Sequence, residues 1–454
     1  MAVMAIKAGA TKDMTTGSIL KQLIQFSLPL MLGNVFQMLY NTVDSIVVGN
    51  FVGKEALAAV GSTSMIVNML VFFFNGFSVG AGVVIGNYFG AKEKERLHTA
   101  VETTMAVSFL LCILFSIIGY LGVDFMLRFM ATPEDVFADA STYLHIYFVG
   151  FAGLLIYNIG SGILRAVGNT TLPLIFLIIT SVMNIILDLL FVIGFHAGIA
   201  GVAYATILSQ FVSAVLTLIL LTRSKDIYRL VWKDLAIDAA TLKKIFSVGL
   251  PAAIQSVITA FSNIFVQSYI NHFGSGCMAG WSSYNKLDMF IMLPMQSFAM
   301  AATTFVSQNI GAGQVKRANK GTKTAILLSV ATTFLIAVAL FIFAAPAVRL
   351  FSKDTSVIEF GALFLRTNVF FLLANCVNHT LAGALRGRGD STGPMFIMLI
   401  SFVAIRQIYL FVVTRFVANT PRLVGFGYPV GWMVCMVLEV TYFYYRWARK
   451  AEAV

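Results

Sequence analysis

Charged side chains are scarce in this chain of 454 residues. Asp, Glu, Lys and Arg together make up 11% of it, whereas soluble globular domains carry about 25%. Hydrophobic residues make up 59%, and the mean hydropathy is +0.87. So few charges cannot cover the surface of a water-soluble domain. The composition therefore excludes a soluble enzyme and an intrinsically disordered protein.

Cysteines and catalytic motifs are also sparse. The four cysteines, Cys112, Cys277, Cys376 and Cys435, have no spacing typical of a metal site or a disulfide scaffold, and we interpret them as reduced packing residues. The chain has no HExxH motif, no nucleophile with an adjacent base and no P-loop. We therefore expect no enzyme activity and no cofactor. Without an ATP-binding motif, any work must draw on an ion gradient.

Long apolar runs fill most of the chain, and each is long enough for a spanning helix. This pattern predicts an all-α polytopic membrane protein with twelve transmembrane helices. The runs fall near residues 19–48, 57–86, 99–122, 138–164, 171–194, 199–222, 245–271, 279–308, 322–346, 356–385, 394–416 and 427–446.

The two halves of the chain repeat one plan. Leu28-Pro29 recurs 222 residues later as Leu250-Pro251, and the loop 164–173 recurs 221 residues later as 385–394. Each half holds six runs, so both halves enter the membrane from the same side. The repeats are therefore parallel rather than inverted.

This repeat predicts a two-lobe organisation. We expect a six-helix N-terminal lobe at 19–222, a linker at 223–244 and a six-helix C-terminal lobe at 245–446. The terminal segments 1–18 and 447–454 are expected on the same side as the linker. Aromatic and apolar residues in the linker are compatible with a helix lying in the membrane interface or with a plain linker.

The basic residues indicate the orientation. With both termini in the cytoplasm, 22 of the 31 Lys and Arg residues lie in cytoplasmic segments, six lie in external loops and three lie in or beside membrane runs. This asymmetry predicts cytoplasmic termini. It also explains the net charge of +11 as a topology signal, so we expect no nucleic-acid partner.

Three polar residues share one depth in the first half, and a fourth lies one turn below them. At about 1.5 Å per residue, Asp44 lies about 15 Å, and Asp188 and Thr206 about 12 Å, from the outer ends of their helices. Asn184 lies one turn below Asp188. Ionisable groups inside a membrane are functional candidates, and this oxygen-rich set suits Na⁺ or a shared proton. The alternative is that each Asp simply bonds a neighbouring helix.

The second half lacks these residues and has a different polar set. Val266 and Tyr409 occupy the positions equivalent to Asp44 and Asp188. We expect Asp288 to form a structural ion pair with Arg406, with direct contact to substrate as the alternative. Glu439 is expected to snorkel or to be paired, in a structural role.

The chain resembles the multidrug and toxic compound extrusion (MATE) transporters, in particular the DinF-like and MepA-like bacterial branch. The resemblance covers nearly the whole chain and rests on Gly17–Leu23 leading to Leu28-Pro29, on Leu39–Gly49, on the two Leu-Arg…Gly…Pro loops and on Val182–Asp188. It implies a V-shaped fold of two six-helix bundles in a bacterial inner membrane. It also implies cation coupling at Asp44, Asn184, Asp188 and Thr206, with a weaker match for Tyr143.

The resemblance further implies a cavity for amphiphilic, often cationic drugs. Our candidates for its lining are Tyr40, Asn41, Asn158, Gln255, Lys286, Asp288, Asn375, Asn378 and Arg406. Helices 7 and 10 lack the acidic residues of the NorM-like branch, which argues against a second cation site. We expect a monomeric antiporter that uses H⁺ or Na⁺ and works by alternating access. A flippase for a lipid-linked or amphiphilic substrate and an ion channel are the alternatives.

Overall fold

Helices form almost the whole protein. The computed structural model describes residues 11–448, which contain no strand, and the structure is 88% helical. The predicted cytoplasmic ends 1–10 and 449–454 lie outside the described residues. Twelve helices in the described part are long and apolar enough to cross a membrane. They are α1 (Ile19–Val52), α2 (Lys54–Ala91), α3 (Lys94–Phe129), α4 (Glu134–Ala166), α5 (Thr171–Gly194), α6 (Gly198–Arg223), α7 (Ala239–Phe273), α8 (Ser275–Gly311), α9 (Val315–Ile342), α10 (Thr355–Gly387), α11 (Thr392–Val417) and α12 (Pro421–Trp447).

The helices extend past the apolar runs that predicted them. Helix α3, for example, covers Lys94–Phe129 rather than 99–122, and a short helix at Ala344–Arg349 follows α9. An apolar run indicates only the part of a helix that faces lipid. The residue at which the helix ends is set by the local backbone geometry. Helix α2 shows this, because it begins after Gly53 at φ +130° and ends before Lys92 at φ +59°.

The chain divides into two compact units. Among the described residues, one contains 11–13 and 28–250, and the other contains 14–27 and 251–448. These boundaries differ from the sequence-based lobes because the first turns of α1 belong to the second unit and those of α7 belong to the first. For example, the Phe77 and Phe246 rings lie 5.5 Å apart within the first unit.

The repeated Leu-Arg…Gly loops end a helix in the same way in both units. Gly168 and Gly389 are equivalent and adopt φ +85° and +82°, a conformation that side chains with a Cβ rarely tolerate. The N–H of Gly168 donates to the Arg165 carbonyl at 2.9 Å, and that of Gly389 donates to the Arg386 carbonyl at 2.8 Å. The sequence repeat is therefore a structural repeat of one C-terminal helix cap.

A close helix crossing also recurs. A Cβ on Gly162 of α4 would lie 2.2 Å from Ser78 Oγ on α2, and a Cβ on the equivalent Gly383 of α10 would lie 2.3 Å from the carbonyl oxygen of Ala299 on α8. Only glycine lets these backbones approach so closely, as in other small-residue membrane contacts. This crossing holds α4 beside α2 in the first unit.

The segment joining the halves is an ordered linker. Its only helical structure between α6 and α7 is the 3₁₀ turn Trp232–Asp234, so the interfacial-helix alternative is wrong. Tyr228 and Leu230 are buried, and burial raises the pKa of the Tyr228 phenol. All four cysteines are buried free thiols, as expected for packing residues.

Candidate functional site

Two aspartates from different helices meet inside the first unit. Asp44 lies near the end of the regular part of α1, and Asp188 lies in the equivalent part of α5. The Asp188 side chain is completely buried, and the two carboxyl groups are close enough to share a hydrogen bond. The common depth predicted for these residues thus corresponds to direct contact.

The carboxyl pair has no neutralising partner among the described residues. Neither oxygen of Asp188 has a protein hydrogen-bond donor, and Asp44 Oδ1 also lacks one. No Lys, Arg or His among residues 11–448 lies within 4.0 Å of either carboxyl. Apart from the contact between the two carboxyls, Asp188 has no hydrogen bond to a neighbouring helix among the described residues. Two ionised carboxylates in such a site repel strongly, so the geometry requires either a shared proton or a cation between them.

Two tyrosines lie near the pair, and Asn184 and Thr206 line one cavity beside α5. The hydroxyls of Tyr40 and Tyr143 are close enough to both carboxyls to interact with them electrostatically. Asn184 lies one turn before Asp188, and its Oδ1 is buried without a donor. Thr206 Oγ1 donates to the Val202 carbonyl of its own helix at 3.0 Å, which leaves its lone pairs available. These oxygens are suitable ligands for a hard monovalent cation.

Both aspartates precede an irregular turn. A π-helical turn covers Val48–Val52 after Asp44, and another covers Leu190–Gly194 after Asp188. Such turns weaken the regular helical hydrogen bonding and occur frequently at functional sites. The same irregularity therefore follows the ionisable residue on both helices.

A cavity of about 130 Å³ lies within the first unit, between α1, α4, α5 and α6. Along α5 its lining extends from Thr170 to Asn184, a distance of about 21 Å at 1.5 Å per residue. Tyr40 and Asn184 line the same end, and each lies one turn before an aspartate. The carboxyl pair therefore lies one helical turn beyond one end of the cavity.

Sequence reasoning identified only part of this lining. Tyr40 and Asn158, two of the candidates for a substrate cavity, line this cavity together with Asn184 and Thr206, whereas Asn41 does not. The missed polar residues are Asn34, Gln37, Tyr157, Arg165, Thr170, Thr180, Ser181, Ser209, Gln210 and Ser213. Helical periodicity could have found several of them, because 33, 34, 37, 40 and 44 form one stripe on α1.

Arg165 is the unexpected member of the lining, at the end of the cavity far from the aspartates. No carboxylate lies within 4.0 Å of it among the described residues, and its closest electrostatic neighbour is Tyr157. In the second unit the equivalent Arg386 donates to Gln255 at 2.8 Å. Gly33 occupies the position equivalent to Gln255, so the first unit has open space where the second has an amide.

The second-unit candidates mainly make packing contacts. Gln255 bonds Arg386 and Met398 Sδ, Asn378 donates to the Trp432 carbonyl at 2.9 Å, and Asn375 donates to Met292 Sδ at 3.6 Å. Lys286 extends over the Phe351 ring at 5.5 Å. These contacts occupy the Gln255 side chain and the amide nitrogens of Asn375 and Asn378, whereas Asn378 Oδ1 has no hydrogen-bond partner.

The expected Asp288–Arg406 ion pair does not form. Arg406 instead donates to Ser262 Oγ at 3.0 Å and to Asn263 Oδ1 at 3.2 Å, and its guanidinium lies 4.7 Å from the Phe402 ring centroid and 4.7 Å from that of Tyr428. The prediction was wrong because α7 supplies neutral acceptors beside Arg406 and aromatic rings supply the remaining contacts.

Glu439 neither snorkels nor forms an ion pair. It is completely buried, and both carboxyl oxygens lack a donor. Arg386 is its electrostatic neighbour but donates to Gln255 rather than to Glu439. The distance along α12 indicated a position near the surface, whereas the neighbouring helices cover this residue.

Known proteins resemble the chain over nearly its full length. A family model described as MatE matches residues 29–190 and 251–412. The chain is 30% identical to the probable multidrug resistance protein YpnP of Bacillus subtilis (strain 168), covering 96% of this chain and 97% of that protein. It is 27% identical to the probable multidrug resistance protein YoeA of the same organism, covering 97% and 96%.

A solved structure supports the same fold. The outward-facing conformation of a multidrug resistance MATE family transporter matches with a TM-score of 0.90 and 23% identity, covering 96% of this chain and 98% of that chain. At this level of identity the match concerns the arrangement of the helices rather than the chemistry of the site.

Proposed function

The chain belongs to the MatE family of multidrug efflux transporters, and from that premise we propose that it is a cation-coupled antiporter that exports amphiphilic, often cationic drugs. The coupling ion is H⁺ or Na⁺, and both termini are cytoplasmic. The observation that carries the proposal is the contact between Asp44 and Asp188, two membrane-embedded carboxyls without a neutralising partner among the described residues.

The carboxyl pair couples the ion to transport by binding it in one conformation more tightly than in the other. A cation that bound both conformations equally would not shift their populations. When a proton or Na⁺ enters from outside, it removes the repulsion between the carboxylates and lets α1 and α5 approach. The π-helical turns after both aspartates are weak points at which this approach can bend the helices.

The cavity supports alternating access. Its volume of about 130 Å³ is well below the roughly 300–1,000 Å³ of cavities that enclose drug-sized ligands. A substrate therefore requires a conformation in which α1 moves away from α4, α5 and α6. Pro29 lies in the cavity wall and interrupts the hydrogen bonding of α1, which makes it a natural bending point. Tyr40 and Tyr157 offer ring faces to a cationic drug.

The test is transport by the purified full chain in proteoliposomes. Efflux of a cationic dye is measured with a pH gradient alone, with a Na⁺ gradient alone and with neither. We expect one of the two gradients to drive accumulation of the dye against its own gradient. Thr206→Val distinguishes Na⁺ coupling from H⁺ coupling, because it removes a Na⁺ ligand but no group that binds a proton. It should weaken transport driven by a Na⁺ gradient and leave transport driven by a pH gradient unchanged.

The outcomes distinguish the proposal from its alternatives. Dye transport that ignores both gradients contradicts the antiporter. Headgroup-specific movement of lipids without dye transport indicates a flippase instead. Large unitary currents without counter-transport indicate a channel.

A further inference from the structure

The linker between α6 and α7 packs firmly on α3. The backbone N–H of Asp238 donates to Thr103 Oγ1 at 3.1 Å, and Thr103 Oγ1 donates to the Ala236 carbonyl at 3.3 Å. The Trp232 ring stacks on Phe109 with centroids 5.7 Å apart. The linker thus has a defined position beside the first turns of α3, all within the first unit.

Three potential metal ligands meet at this contact. His98 and Glu102 are four residues apart on α3 and therefore lie on one face of the helix. The distance from His98 Nε2 to Glu102 Oε1 is 2.7 Å, and that from His98 Nε2 to Asp234 Oδ2 of the linker is 3.9 Å. One ligand atom from each residue lies within 4.8 Å of the other two.

Apart from His98, no basic side chain among the described residues lies beside the two carboxylates. No Lys or Arg lies within 4.0 Å of Glu102 or Asp234 among residues 11–448. The Glu102 side chain is only 9% exposed, and its Oε1 lies 2.7 Å from His98 Nε2 and has no other hydrogen-bond donor among the described residues. A buried carboxylate oxygen beside a histidine nitrogen and a second carboxylate is a set of ligands that a divalent cation can bind.

We propose that His98, Glu102 and Asp234 bind a divalent cation of the Zn²⁺ type that fastens the linker to α3. Two carboxylates and a neutral imidazole balance the charge of a divalent ion. Zn²⁺ takes nitrogen and oxygen ligands at about 2.0–2.2 Å, so neighbouring ligand atoms lie about 3.3 Å apart. This distance falls between the 2.7 Å and 3.9 Å that separate His98 Nε2 from the two carboxylate oxygens. Three protein ligands leave a fourth position for water. The imidazole favours Zn²⁺ over Mg²⁺, which prefers oxygen ligands and retains its waters.

The site is open to water and independent of the carboxyl pair in the membrane. The Asp234 side chain is 59% exposed and that of His98 34%, so an ion can enter and a chelator can remove it. Because α3 and the linker bind the ion together, its presence should hold the linker against α3. The ion is expected to protect the backbone around Lys233, the residue before Asp234, from protease.

The test uses the full chain in detergent, without a histidine tag and after removal of metals with EDTA. Zn²⁺ binding is measured by competition with a chromogenic indicator. We expect one Zn²⁺ per chain that excess Mg²⁺ does not displace. Loss of a residue that only supports a metal ligand weakens metal binding by about tenfold or more. His98→Ala and Glu102→Gln each remove a direct ligand, so each should weaken Zn²⁺ binding by more than about tenfold. Asp226→Asn in the same linker and His272→Ala should bind as the unmodified chain does.

A second measurement follows the linker itself. Zn²⁺ should slow tryptic cleavage after Lys233 in the unmodified chain and leave the rate unchanged in His98→Ala. Monodisperse elution and retained dye efflux establish that each variant is folded. No binding of Zn²⁺, equal binding by His98→Ala and Glu102→Gln, or a matching loss in Asp226→Asn would each overturn the proposal.

Discussion

Replacing Asp188 by Asn tests the carboxyl pair most directly. Asn has the shape of a protonated Asp but cannot release a proton. Both Asp188 oxygens are buried without a donor, and the Asp44 carboxyl is close by. The new amide can donate to Asp44 and removes one source of repulsion. We therefore expect Asp188→Asn to fold and to unfold at a temperature no lower than that of the unmodified chain.

The loss of coupling should be large. For a dye without net charge, one coupling ion that moves inward across 100 mV gains about 2.3 kcal/mol, which corresponds to about a fifty-fold concentration ratio at 1.4 kcal/mol per factor of ten, whereas exchange for a monovalent cationic dye is electroneutral and gains only the ion gradient. One proton coupled across one pH unit contributes a further factor of about ten. Asn at position 188 cannot bind and release the coupling ion. The ratio of dye concentrations on the two sides of the membrane should therefore approach one at steady state under the same gradients.

The assay is steady-state dye distribution in proteoliposomes with the potential clamped and the pH and Na⁺ gradients imposed separately. Glu439→Gln is the matched control, because Glu439 is also a buried carboxyl of a membrane-spanning helix whose oxygens lack a donor, but in the second unit. This control variant should retain the ratio of dye concentrations that the ion gradient produces in the unmodified chain. If Asp188→Asn retains this ratio, the carboxyl pair is not the coupling site.

Three further predictions concern the fold. Gly80→Ala should lower the unfolding temperature or abolish expression, because its Cβ would lie 2.3 Å from the Ile245 carbonyl oxygen, whereas Gly61→Ala on the same helix meets nothing within 4 Å and should be neutral. Arg406→Lys keeps the charge but loses the two guanidinium hydrogen bonds and the ring stacking, so it should lower the unfolding temperature measured by differential scanning fluorimetry. Asp354 caps α10, and hydrogen bonds from Ser356 and Val357 hold the pKa of its carboxyl below the usual range. The cap therefore stabilises the folded protein fully above the unfolded pKa of about 4, and this stabilisation is lost as pH falls through the folded pKa. The unfolding temperature of Asp354→Ala should therefore be lowered equally at pH 8 and pH 5.5, and a deficit that varies between these pH values would contradict the cap.

The sequence by itself determined the helices, the repeat and the depth of the candidate residues. Apolar runs place a helix because lipid offers the backbone no hydrogen bonds. The constant offset between halves predicted the shared helix cap at Gly168 and Gly389. The rise of an α-helix is fixed at about 1.5 Å per residue, so counting residues was enough to bring Asp44 and Asp188 to one level.

Only the tertiary structure decided which side chains meet. Depth is set along one helix, whereas rotation about the axis and the choice of neighbour depend on how all helices of a unit pack. Arg406 therefore bonds neutral groups rather than Asp288, and Glu439 is covered rather than exposed. The meeting of His98 with Asp234 depends on where the linker folds back on α3, which no local pattern of charge or hydropathy specifies.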